Sequence, residues 1–197
     1  MSKSISVYVL ASLCIGINVA LGTIVYLLKL PIYLDSIGIM VAAILVPGTR
    51  WGAFIIASLV GIISFVAGGL LINPFLPWFI GTAIAGALYG AFVVRPVTAT
   101  LFTMGSTGII KTIMLGIGWG IVAAIVSAPV AVYLFGGVTG SGSALVTLFF
   151  VKTGHQLLDS VLLSGFSIEP IDKTIQMILA IYITRSTPAH FRERFSR

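Results

Sequence analysis

"GGVTGSGSALVTLFFVKTGHQLLDSVLLSGFSIEPIDK", residues Gly136 to Lys173, is the long stretch of this chain that is neither plainly apolar nor plainly a loop. Whether its middle, residues 144–166, crosses a membrane decides how often the whole chain crosses. The surrounding sequence leaves little doubt about the solvent. The chain has 197 residues, of which 58% are hydrophobic and 8% charged, whereas soluble domains carry about 25% charged residues. At roughly 20 residues per spanning helix, it holds six or seven spans and no separate soluble domain. Residues 1–197 therefore read as a single integral-membrane domain.

On either side of the ambiguous stretch the apolar runs are separated by Gly and Pro. The first covers about Ser4 to Leu28. It is too long for the core of a secretory signal and has no small-residue cleavage site before a polar chain, so it is expected to be retained. A short second run, about Ser36 to Val46, stops at "PGTRWG". The third covers about Ala53 to Ile72, the fourth about Trp78 to Val94 and the fifth about Thr112 to Phe135. A last run covers about Thr174 to Thr184.

Charge placement then chooses a topology. Net charge is +6, much of it in a tail with Arg185, Arg192, Arg194 and Arg197. A basic tail can bind nucleic acid, but beside membrane spans it marks the cytoplasmic side. With Lys3 inside, Arg50 and Arg95 fall inside, Lys111 falls near that side, and Lys29 and Asp35 fall outside. If residues 144–166 crossed, the arginine-rich tail would end outside. The expected fold is therefore an all-α membrane protein. It is a six-span helical bundle with a partly helical, outward-facing insertion between spans five and six, both termini cytoplasmic, in the cell membrane.

Within that insertion Lys152, His155, Gln156 and Asp159 stand at i, i+3, i+4 and i+7, the spacing of one helical face. Such a stripe is expected against protein or a wet cavity rather than lipid. Tyr33 and Asp35 of "LKLPIYLDSIG" (Leu28–Gly38), Asn73 and Trp78 of "NPFLPW", and Tyr133 fall on the same outer side. Singly, Trp and Tyr at span ends are interfacial anchors. Together these residues suggest a solute pocket of aromatic walls and a few placed polar groups.

Catalytic and cofactor signatures are missing. The chain has no HExxH, Walker A lysine motif, GxSxG or CxxC. His155 and His190 are far apart, Lys152 disfavours a cation beside His155 and Asp159, and "GGVTGSGS" reads as a flexible turn. Neither an enzyme nor a cofactor or metal site is expected. Cys14 reads as a small packing residue. Small residues four apart let helices approach closely. For Gly116 and Gly120 that means internal packing, whereas for Gly16 and Ala20 internal packing and the docking of a partner helix stay equally open. Asn18 lies between the last two, and a buried amide needs a partner.

With "GINVALGTIVYLLKLPIYLDSIGIMVAAILVPGTRWGAF" (Gly16–Phe54), and less specifically "VAGGLLINPFLPWFIGTAIAGALYG" (Val66–Gly90) and the final span, the chain resembles the substrate-binding S components of energy-coupling factor (ECF) transporters. The resemblance implies high-affinity binding and uptake of a small water-soluble micronutrient, such as a vitamin, vitamin precursor or nucleobase-like solute. It implies partners as well: a transmembrane coupling subunit and two ATPase subunits. The pocket would lie near the outer face, with "LPIYLD" and the loop before span six as lids. The long insertion after span five departs from the pattern. A membrane sensor module acting with a separate signalling partner is the alternative reading.

Overall fold

A computed structural model of the chain describes residues 3–102 and 106–188. Among these residues every element is helical and no strand occurs. Helix α1 spans Lys3–Leu27, α2 Ile37–Leu45 and α3 Arg50–Leu71. Helix α4 runs over Leu76–Leu101, with a wide turn at Gly90–Val94 and a tight one at Arg95–Val97. Helix α5 spans Ser106–Phe135, α6 Ser143–Lys152 and α7 Leu157–Ser186.

Four of these, α1 over Ser6–Leu27, α3, α4 and α5, are long and apolar enough to cross a membrane. Twenty-two residues, the length of α3, rise about 33 Å, enough for a hydrocarbon core of about 30 Å. Their large apolar side chains also face outward. Leu13 and Ile24 on α1, Ile55, Leu59 and Ile63 on α3, and Met114 and Ile125 on α5 are all exposed. Inward positions instead carry Ala, Gly and Ser. That inversion of the soluble pattern is what a lipid surround favours, because packing there rests on close backbone approach.

Helix α2 is the exception that organises the bundle. All nine of its residues are buried, so it is enclosed by protein on every side, and at about 14 Å it is too short to span. Gly38 lies against the Cys14 backbone of α1 and leaves no room for a Cβ. Asn18 supplies the polar tie, accepting the Gly38 N–H at 2.7 Å and donating to Ser64 Oγ at 3.2 Å. The amide is thereby satisfied on both sides. At the other end of α2, Arg95 donates to the carbonyls of Val46 (2.8 Å) and Gly48 (3.0 Å). A cation there meets the carbonyl-rich, partially negative helix terminus.

The most extensive helix–helix contact is that of α5 with α7. Gly116 sits against the backbone of Thr174 and Gly120 against that of Pro170, while Gly165 of α7 meets Ala124. The Gly116/Gly120 spacing is thus used for internal packing. Gly16 has open space around its Cα, and Gly16 and Ala20 lie on the exposed face of α1.

Two expectations are corrected. The last apolar run does not begin a helix at Thr174, because Leu157–Ser186 is one continuous helix. Lys152, His155, Gln156 and Asp159 do not share a helical face either. Lys152 ends α6 and Gln156 precedes α7, with Gly154 between them at φ +97°. That left-handed backbone suits glycine and breaks the helix. His190, Arg192, Arg194 and Arg197 lie outside the described residues.

Candidate functional site

The site begins with the loop between α1 and α2. Residues 31–35 belong to no helix, so their backbone groups need donors and acceptors from elsewhere. Helix α7 supplies them. Asp172 Oδ1 accepts the N–H groups of Tyr33 (3.0 Å) and Leu34 (3.2 Å), and Gln176 Oε1 accepts that of Ser36 (2.8 Å). Leu34 holds a left-handed φ of +49°, costly for a branched side chain, and its bond to Asp172 helps hold it there. Lys29 anchors the other end of the loop, donating to the Gly140 carbonyl at 2.8 Å.

Asp172 is fully buried and its second oxygen is also occupied, by Lys173 Nζ at 2.8 Å and Gln176 Nε2 at 2.6 Å. Lys173 stands at the centre of the group, 3.3 Å from Asp35 and 3.5 Å from Glu169. Its ammonium also lies 5.4 Å from the centroid of the Tyr33 ring. Burial, and next the Glu169 carboxylate, push the Tyr33 phenol above its ordinary pKa, so it stays a neutral hydroxyl. Glu169, Asp172, Lys173 and Gln176 occupy one face of α7, and Gly116 and Gly120 let that face approach α5 closely.

Beneath the loop this face borders a cavity of about 90 Å³, several times the roughly 10–15 Å³ that one water requires. Aromatic walls come from Tyr33, Phe65, Phe75, Phe79 and Trp119; Ser127, Thr139, Ser141, Ser143 and Ser164 add hydroxyl groups. Two wall atoms are buried without a hydrogen-bond partner, Trp119 Nε1 and Glu169 Oε2. The Glu169 oxygen has Lys173 at ion-pair distance but receives no hydrogen bond. Buried polar atoms without partners are uncommon in folded proteins, and here both belong to residues that line one cavity.

The residues expected at a pocket divide sharply. Tyr33, Asp35 and Asn73 line the cavity. Trp78 and Tyr133 do not: they are 60% and 79% exposed, as suits rings at a membrane–water boundary. Lys152, His155, Gln156 and Asp159 are exposed around the turn joining α6 and α7. The groups that sequence reasoning missed are Trp119, Glu169, Asp172, Lys173 and Gln176. The signal for the last four was available, since they too stand at i, i+3, i+4 and i+7. Compared with known proteins, the chain matches no family model, no curated protein and no solved structure.

Proposed function

We propose that the chain is a membrane solute-binding protein, working as the S component of an ATP-driven ECF transporter for a small water-soluble micronutrient. The observation that carries this reading is the cavity under the Leu28–Ser36 loop, two of whose wall residues, Trp119 and Glu169, hold a buried polar atom without a hydrogen-bond partner. A loop fastened to α7 by side chains rather than by a backbone ladder is suited to act as a lid, because few bonds need to break for it to open. In this reading α7 is the sixth span. Ile171, Ile175, Ile178 and Tyr182 give it an exposed apolar face while its charges turn inward. Helix α2, too short to cross alone, makes the enclosed second crossing together with the extended loop before it, and the α6–α7 turn is the outward-facing insertion.

The same reading sets Gly16 and Ala20 against the coupling subunit, since both are small and exposed on α1 and Gly16 has open space around it. Coexpression with an ECF coupling subunit and its two ATPases tests it. Gly16→Phe or Ala20→Phe is expected to weaken assembly while leaving solute binding intact. Lost solute binding with normal assembly overturns the docking face. Mass spectrometry of small molecules released from the purified protein tests the binding role itself. Topology has its own test: Phe195→Cys is expected to resist an impermeant thiol reagent added to intact cells. Labelling from outside overturns the six-span arrangement.

A further inference from the structure

Resting on the solute-binding reading, we infer that the cavity selects a small cationic ring. Its ligand carries an amine- or amidinium-type N–H group for Glu169 and an acceptor for the Trp119 indole N–H. Charge makes the first point. Asp35, Glu169 and Asp172 surround the single ammonium of Lys173, so three carboxyl groups face one cation and acidic groups are in excess. Among the described residues no arginine or histidine lines the cavity to offset it. Lys173 is already shared three ways, and an incoming anion would have to compete with all three carboxylates for it.

Satisfaction of the wall groups makes the second point. Asp172 has no capacity to spare, because both its oxygens accept two bonds. Asp35, which also lines the cavity, accepts from Ser36 Oγ at 2.8 Å and from Lys173, both on Oδ1. Glu169 lines the cavity as well, and its buried Oε2 has Lys173 at ion-pair distance but receives no hydrogen bond. Trp119, 1% exposed, lines the same cavity, and its buried Nε1 is a donor without a partner. A ligand meeting both supplies an N–H to the carboxylate and a lone pair to the indole. The other candidate for anion binding is the start of α6, where Ser141 and Ser143 line the cavity. There the Ala144 and Leu145 N–H groups already bond to the carbonyls of Ser141 and Gly142.

Three probes of one shape and different charge decide the question: pyridine-3-carboxamidine, a cation, pyridine-3-carboxamide, neutral, and pyridine-3-carboxylate, an anion. Each presents a ring nitrogen as acceptor. Calorimetry on the purified full chain is expected to rank them cation, amide, anion, with steps of about tenfold, because hydrogen bonds to an ionised group are the stronger ones. Glu169→Gln, of the same shape, is expected to erase the advantage of the cation over the amide. Trp119→Phe is expected to weaken the cation several-fold while preserving the ranking. If the anion binds best, or the ranking survives Glu169→Gln, the charge inference fails and solute binding stands. If none of the three binds at millimolar concentration, both fail. Should either variant not fold, the ranking on the wild-type protein decides alone.

Discussion

Two polar stripes of the same spacing lie seventeen residues apart and meet opposite fates. Lys152, His155, Gln156 and Asp159 are exposed around a turn. Glu169, Asp172, Lys173 and Gln176 are buried and carry the polar chemistry of the interior. Spacing alone does not separate them; continuity of the backbone does. The first stripe is interrupted by Gly154 in a left-handed conformation, so its members leave the helix before they can share a face. The second sits inside a continuous helix of 30 residues, where all four side chains project together. A polar stripe on an otherwise apolar helix then has only two places to go, a wet surface or a protein interior that satisfies it. Here the loop backbone and Asp35 provide the satisfaction.

The contrast can be broken by substitution, and the largest effect belongs to Lys173. Lys173→Met leaves the buried carboxylates without their counter-charge, and removing one partner of a buried ion pair costs about 3–5 kcal/mol. Thermal unfolding in detergent is expected to show a large fall in midpoint or failure to fold. A midpoint near the wild-type value would mean the cluster is not ionised and close-packed as described. Gln176→Ala comes next. It orphans the Ser36 N–H and removes a donor to Asp172, a change worth roughly 1–3 kcal/mol. Faster proteolysis within residues 28–36 is expected alongside it.

Gly120→Val sharpens the comparison from the other side of the contact. Its added methyl groups meet the Pro170 backbone, and overpacking of this kind costs about 1–3 kcal/mol. It should loosen the α5–α7 contact and the cavity together. The smallest effect is expected from His155→Ala and Asp159→Ala, whose side chains are exposed. Their unfolding midpoints should stay at the wild-type value. A clear loss in either would show that the turn packs against something after all.

Much of the helix pattern was legible because lipid-compatible length and apolar composition are local properties of a sequence. The short second run, the GxxxG contact and the need of Asn18 for partners were equally readable from residues in place. The inner face of α7 was not. Asp172-Lys173 looks like a charged linker, and its burial depends on the N–H groups of Tyr33 and Leu34, 139 and 138 residues away. No local pattern carries that pairing. Trp78 and Tyr133 were drawn to the pocket by their position at span ends, where rings also serve as exposed anchors. Tyr33, Asp35 and Asn73 differ because loop and turn geometry bring them over the cavity.

The central claim is that the interior face of α7, and not the α6–α7 turn, forms the site. The most direct measurement compares two folded proteins that each carry one introduced cysteine beside Cys14, His155→Cys and Glu169→Cys, with labelling by a bulky, membrane-impermeant maleimide read at the introduced position. Cys14 is buried, so background labelling should be low. The expected result is rapid modification at position 155 and modification at position 169 only after denaturation. Comparable rates at the two positions in the folded protein would contradict the assignment.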